Sequence, residues 1–387
     1  NHPLMKIAEL VPWDKIEADM QQYFTSTPGQ PPKPTRLMAG LMMLQHMEGI
    51  SDEEVVKSWV ENPYWQYFCG FNIFQWKFPI HPSSLCRWRK RMGEQGVQRV
   101  LSHTITMAVQ IDLVNEKDLK KVIVDSTVMP TNVRYPVDGQ LLNRARAKLV
   151  KEAKNQGISL RQSYERVGKN LERKAAGYAH AKQYNRLQRS VKKLKTILGR
   201  TVRDVERQLD MLPNKSDNLS QLLMMSNRLL TQEKKSKNKL YSLHEPSTYC
   251  IAKGKVRSPY EFGHKVSLVM THKQGLALAS QALEKCSYDG HVLGESIDKA
   301  QEICGESITK IFVDRGYRGH GIIDKNVYIS GQRKGMTACL KKELKRRSAI
   351  EPHIGHMKSE GKLSRNYLTG IIGSKINALL CAVGHNL

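Results

Sequence analysis

A mixed α/β core with an all-helical amino-terminal domain and a basic helical insertion is the fold class that three features of this 387-residue sequence predict. Two β-favouring runs each end on an aspartate, Lys121-Val122-Ile123-Val124-Asp125 and Lys310-Ile311-Phe312-Val313-Asp314. An apolar run of this length that stops at a turn is the pattern of a buried strand. All five tryptophans, Trp13, Trp59, Trp65, Trp76 and Trp88, fall in the first 110 residues, within a helical pattern. Between residues 141 and 240 there are 25 Lys and Arg against 8 Asp and Glu, so +17 of the total charge of +26 lies on one stretch. The expected organisation is a helical domain over 1–118 and a core over 119–387, interrupted by the insertion at 140–241.

The elements follow in order. Pro34-Thr35 opens a helix whose Leu37, Leu41, Leu44 and Met47 step by three and four and which stops at Gly49. Ser51-x-x-Glu54 is a capping-box match leading into Val55, Val56 and Trp59, and Asn62-Pro63 ends that helix. His81-Pro82-Ser83-Ser84 precedes a short helix, Leu85 to Arg91, with four basic residues in five positions: Arg87, Arg89, Lys90 and Arg91. Such a helix either lies on DNA or is a solvated basic helix with Trp88 in the core, and His81 is expected as a turn or core residue rather than a ligand. A further helix over 101–119 links to the first strand, which runs from Lys121 to about Val128 before Met129-Pro130 breaks it.

In the insertion, Tyr184, Leu187, Val191, Leu194, Leu198, Val205, Leu209 and Leu212 mostly follow helical steps. Leu212-Pro213-Asn214 interrupts them, and Leu219, Leu222, Leu223, Ser226 and Leu230 resume. This reads as a helical hairpin whose basic face either neutralises DNA phosphates or is a solvated arm. Strands are expected over 264–271 and 275–283, a helix over 292–304, and a last apolar helix around Ile376 to Val383. Lys253, Lys255 and Arg257 lie in a Gly-containing loop placed to grip phosphate.

The chemistry rests on acids. Arg347, Glu351 and Lys358 sit at offsets of four and seven, on one face of a helix. Asp125, Asp314 and Glu351 together are the ligand type for Mg²⁺, which takes carboxylates plus substrate phosphate and supports phosphodiester chemistry. Each acid taken singly is equally well a turn former or helix cap. His353 and His356 beside Glu351 make a competing transition-metal set, with no second Cys or His cluster to support it. Ser126 after Asp125 lacks the Gly-x-Ser-x-Gly context of a nucleophile.

Composition narrows the partners. With 62 Lys and Arg against 36 Asp and Glu and a pI near 9.8, a polyanion is the simplest one. No apolar stretch of 18 residues and no signal peptide is evident, so the cytoplasm is expected and a membrane is not. Seven scattered cysteines without a C-x-x-C pair argue against a zinc ribbon or disulfide framework and are expected to be reduced and mostly in the core. The chain starts at Asn1 rather than Met, so either end can be a truncation.

These residues resemble a DDE transposase of a bacterial insertion sequence, of the fifth insertion-sequence family, whose last acid lies in a Tyr-x2-Arg-x3-Glu-x6-Lys signature. Arg347, Glu351 and Lys358 fit that spacing, and the Tyr position holds Leu344. The similarity continues through Tyr241-Ser242-Leu243-His244-Glu245-Pro246, Ala252-Lys253-Gly254-Lys255, Pro259 to Val266 and Tyr288-Asp289-Gly290-His291. The resemblance implies a ribonuclease-H-like catalytic core holding Mg²⁺ or Mn²⁺ on Asp125, Asp314 and Glu351, with Arg347 and Lys358 as helpers and Asp289 near the site. It also implies an amino-terminal module of helix-turn-helix type that reads terminal inverted repeats with Arg87, Arg89, Lys90 and Arg91. The implied activity is hydrolysis at the element ends and joining of the 3′-hydroxyl to target DNA by a homodimer or higher oligomer near the nucleoid. The alternatives are a non-catalytic DNA-binding descendant or a related metal-dependent nuclease.

Overall fold

The computed structural model describes residues 2–24, 33–209, 216–233, 235–237, 239–252 and 259–387. Two compact units divide the chain: Asn1–Asn132 together with Gly263–Leu387, and Val133–Phe262.

The first unit begins with α1 (Pro3–Leu10), α2 (Trp13–Gln21), α3 (Thr35–Met47), α4 (Asp52–Glu61), α5 (Pro63–Phe68) and α6 (Ser83–Gln110). Their starts are written in the sequence. The Ser51 hydroxyl accepts from the Glu54 N–H at 3.1 Å, and the Asn62 side chain accepts from the N–H groups of Tyr64 and Trp65 at 2.9 and 3.2 Å. One expectation changes here. The basic segment and the linking helix are both parts of α6, bent at Gly93, whose φ of 61° and ψ of −162° a side chain would oppose. The capped turn α7 (Glu116–Leu119) then delivers the chain to β1 (Lys121–Pro130).

The second unit holds α8 (Asp138–Asn155), α9 (Glu165–His180), α10 (Tyr184–Leu209), α11 (Asp217–Thr231) and the short β2 (Tyr249–Ala252). Four helices replace the expected hairpin. The stripes of α10 and α11 are the legible ones, and Leu194, Leu198, Val202, Val205, Leu219, Leu222 and Leu223 are all buried in one apolar cluster. Helix α8 completes that cluster with Leu141, Leu142 and Leu149 but also Ala145 and Ala153, while α9 buries only Gly168 and Ala175. Small residues give little periodic signal, which is why these two helices escape a reading by hydrophobic steps. The expected break at Leu212-Pro213-Asn214 lies outside the described residues.

The first unit resumes with β3 (Tyr260–Thr271), β4 (Ala277–Ala282), α12 (Asp289–Cys304), β5 (Lys310–Val313), β6 (Asn326–Ile329), α13 (Ala338–Lys345), α14 (Ile350–Ser359) and α15 (Gly370–Asn386). Its sheet runs β4-β3-β1-β5-β6. Strand β3 is antiparallel to β1 and β4, whereas β5 is parallel to β1 and β6 to β5. Strand β1 does not stop at Val128. It stays paired through Pro130, opposite Gly263, where an added Cβ would come within 2.1 Å of the Met129 carbonyl oxygen.

Helix α15 decides the domain organisation. It is buried at Gly373, Ser374 and from Ile376 to Val383, and packs against α3, α6 and β4. The amino-terminal helices and the sheet therefore belong to one core, and residue 118 does not separate compact units. The cysteines also depart from expectation. All seven are free, but only Cys69 and Cys381 are buried, and Cys86, Cys286 and Cys339 are exposed. No helix among the described residues is long and apolar enough to cross a membrane.

Candidate active site

The parallel pair β1 and β5 builds the site. Ile123 stands opposite Phe312, so Asp125, within β1, and Asp314, just past the end of β5, each lie two residues further on and share a face. Adjacent strands lie roughly 4.8 Å apart, which brings the two carboxylates side by side where β5 ends. Backbone N–H groups hold both. Ser126 N–H donates to Oδ1 of Asp125 at 2.7 Å, and Gly316 N–H donates to Oδ1 of Asp314 at 2.7 Å.

A third acid joins them from α12. Asp289 lies in the first turn of that helix, and Lys265 Nζ meets its Oδ1 at 2.8 Å. Gly316 lies between two of these acids, since a Cβ there would stand 3.0 Å from Oδ1 of Asp314 and 3.7 Å from Oδ2 of Asp289. Burial pushes the Asp125 carboxyl up to about 6. The Ser126 N–H opposes that rise, the charge of Asp314 adds to it, Arg347 opposes it again and Asp289 adds a little. The Tyr317 phenol, 2% exposed, is raised by burial first and then by Asp289, Asp125 and Asp314. Among the described residues its hydroxyl has no hydrogen-bond partner of good geometry, and the Ser126 side chain near it lowers the value only slightly.

Glu351 arrives from the other side. The guanidinium of Arg347 lies 3.6 Å from Oδ2 of Asp125 and 3.6 Å from Oε1 of Glu351, so a cation links the strand acid to the helix acid. Arg346 fixes this segment by donating to the carbonyls of His272 at 3.1 Å and Lys273 at 2.6 Å, and Lys121 pairs with Glu343. Glu351 itself is well exposed. Among the described residues no three acid, His or Cys side chains converge closely enough to hold one ion. Lys358 is half-buried on α14, two turns beyond Glu351. Leu344 packs partly buried against the core, so no phenol stands at that position.

The histidine alternative does not form. His353 lies under Gly275, where a Cβ would meet its Nε2 at 2.1 Å, and its ring packs on His385 at 5.2 Å, whereas His356 pairs with Glu360.

The basic helix divides in two. Arg87, Lys90 and Arg91 are exposed on α6. Arg89 is a correction: it is 4% exposed, pairs with Asp52 and donates to Oε1 of Gln45 at 3.2 Å, so it faces the core and not a ligand. The reason is helical spacing. Leu85, Trp88, Arg89 and Met92 share the buried stripe, and Asp52 on α4 supplies the countercharge that lets an arginine lie there. Lys253 and Lys255 lie outside the described residues.

Residues 1–91, which include this helix start, match the family described as "Transposase domain (DUF772)". The chain is also 42% identical over 181 residues to a Rhizobium meliloti protein described as "Uncharacterized protein ORF8 in nfe locus", a match covering 47% of this chain and 87% of that one. The two belong to one family. This chain is a transposase-family protein. No solved structure matches it. In this transposase-family protein the structure sets Arg347 beside two of the acids singled out from sequence, Asp125 and Glu351, and adds Lys265 and Tyr317, which no sequence pattern singled out. Lys265 sits in a strand that reads as structural, and the packing of Tyr317 among acids depends on contacts no local pattern reports.

Proposed function

We propose that the chain is a metal-dependent DNA transposase with a ribonuclease-H-like core, acting on the ends of its own element. The observation that carries this reading is the parallel register that sets Asp125 beside Asp314, with Arg347 linking Asp125 to Glu351. The strand order β4-β3-β1-β5-β6, with β3 the antiparallel member between β4 and β1, supports the same core. The transposase-domain match supports a DNA substrate, as does the net charge of +26.

Two of the donors present, Asp125 and Asp314, suit a divalent cation, which would need Glu351 to close on them as a third. Each strand acid accepts from one backbone N–H group, and burial, with the charge of Asp314 adding to it, lifts Asp125 to about 6, a cost that a cation would relieve. Asp125 and Asp314 would hold Mg²⁺ or Mn²⁺, with Glu351 joining when Arg347 turns to substrate phosphate. The ions would supply Lewis-acid activation of the attacking oxygen and stabilise the leaving one. The chain's own residues do the rest. Asp289 fixes Lys265, Arg346 anchors the Glu351 helix, and Arg347 would bind two oxygens of a phosphate. Arg87, Lys90 and Arg91 on α6 would contact the terminal repeats, and Lys253, Lys255 and Lys358 other phosphates. A homodimer or higher oligomer would pair the two ends.

The test is a strand-transfer assay with flanking repeat DNA and Mg²⁺ or Mn²⁺. Joined products support the reading. Binding without cutting by the wild type transfers it to a non-catalytic DNA-binding protein, and cutting without joining to a nuclease.

A further inference from the structure

The link between α5 and α6 carries an apolar surface that the fold does not use. Ile73 is 78% exposed, Trp76 82% and Phe78 66%, and Phe74 packs edge-on against Trp76 with ring centroids 4.6 Å apart. Four large apolar side chains within six residues are more than the scattered exposure any soluble protein tolerates.

The loop is held in this form from beneath. Gln66, 1% exposed, accepts from the Gln75 N–H at 2.7 Å and donates to the Gln75 carbonyl at 3.0 Å, while its amide also reaches the Trp59 carbonyl at 3.2 Å. A buried amide that clasps both backbone groups of one residue fixes the crown of the loop. The aromatic side chains are thus presented at little cost in ordering on contact.

Charge selects the partner. No acidic residue occurs between Glu61 and Glu94, whereas Lys77 lies inside the loop and Arg87, Lys90 and Arg91 follow on the exposed side of α6. Two copies meeting through this face would oppose like charges, because a twofold contact sets the same patch against itself. A polyanion with flat apolar faces suits both features. Bases stack on aromatic rings without regard to sequence, while lysine and arginine hold the phosphates.

We propose that the loop of residues 73–78 is a base-stacking platform, on which Trp76 and Phe78 take unpaired or unstacked bases of the DNA whose phosphates the start of α6 holds. This rests on the DNA-binding reading and extends it from duplex contacts to opened strand. It fits an enzyme that works at DNA ends, where bases unstack most readily.

The experiment compares wild type, Trp76→Ala, Phe78→Ala and Trp76→Phe on three probes: a blunt duplex, the same duplex with a frayed unpaired end, and a single strand. Affinities are read by fluorescence anisotropy at one salt concentration. Trp76→Ala and Phe78→Ala should each lose about tenfold on the frayed and single-stranded probes and less than about twofold on the blunt duplex, in line with the loss of one stacked base. Trp76→Phe should keep most of the affinity, since it keeps a ring. Unchanged melting temperatures certify the fold. Equal losses on all three probes, or none, overturn the platform. So does a Trp76→Ala variant that dissociates a wild-type dimer in sedimentation velocity, or releases the chain from anionic vesicles, while its preference for the frayed probe persists. A wild type that binds none of the three DNAs overturns the parent reading instead.

Discussion

Arg347 stands between Asp125 and Glu351, with Nη1 3.6 Å from Oδ2 of Asp125 and Nη2 3.6 Å from Oε1 of Glu351. The guanidinium neutralises acids that would otherwise repel one another, and it occupies the gap between the strand acid and the helix acid. A divalent ion bound as proposed would have to share that gap with it.

Arg347→Ala should therefore separate binding from chemistry. Mn²⁺ affinity of the DNA-free protein, measured by titration calorimetry, should hold or rise, because a competing cation is gone. Cleavage should slow by about 10²-fold through lost phosphate positioning. Weaker Mn²⁺ binding in this variant would mean that the arginine organises the acids and does not compete.

The three acids should behave alike in activity and unlike in stability. Asp125→Asn, Asp314→Asn and Glu351→Gln should each abolish cleavage while repeat binding without metal survives. Full activity in any one of them would show that acid to be misassigned. Asp125 adds a pH signature. Its folded value of about 6 lies above the ordinary 3.8, so the group costs nothing while protonated below about pH 4 and destabilises the fold as pH rises through 6. With chelator present, Asp125→Asn should match wild type near pH 4 and exceed it at pH 8 by about 1–3 kcal/mol, at 1.36 kcal/mol per unit and discounted for partial exposure. Thermal melts across that range decide it, and added Mg²⁺ should reverse the order.

Arg89 and its neighbours on α6 predict opposite phenotypes. Removing Arg89 leaves Asp52 charged and half-enclosed, so Arg89→Ala should cost about 3–5 kcal/mol. Arg87→Ala and Arg91→Ala should stay within about 0.5 kcal/mol and instead weaken DNA binding. Urea unfolding together with anisotropy on repeat DNA separates the two classes. A stable Arg89→Ala protein that has lost only DNA affinity would put that arginine back on the ligand face.

His46 makes the fold acid-sensitive. Burial, with the charge of Lys362 next, lowers its value to about 3, although its Nδ1 lies 3.0 Å from the Met42 carbonyl. The unfolded chain therefore takes a proton near pH 6.5 that the folded chain refuses until about 3. Stability should fall by roughly 1.4 kcal/mol per pH unit between those values through this group alone. His46→Gln should flatten that limb of the stability curve, and an unchanged slope would assign the acid sensitivity elsewhere.

The two strands and the acids at their ends were legible as patterns because each is local. A β-branched run ending on Asp is visible at Lys121 to Asp125 and again at Lys310 to Asp314, and the offset of four between Arg347 and Glu351 already placed them on one helix face. The apolar steps of α10 and α11 were equally plain, since leucines at three and four produce a strong period. Three things waited for tertiary structure. The parallel register that sets Asp125 beside Asp314 joins residues almost two hundred positions apart, and no local period encodes it. The burial of Arg89 depended on Asp52 from another helix, because the sequence shows a basic residue but not its countercharge. The union of the amino-terminal helices with the sheet depended on α15, whose apolar surface runs round the helix and so names no partner until packing supplies α3, α6 and β4.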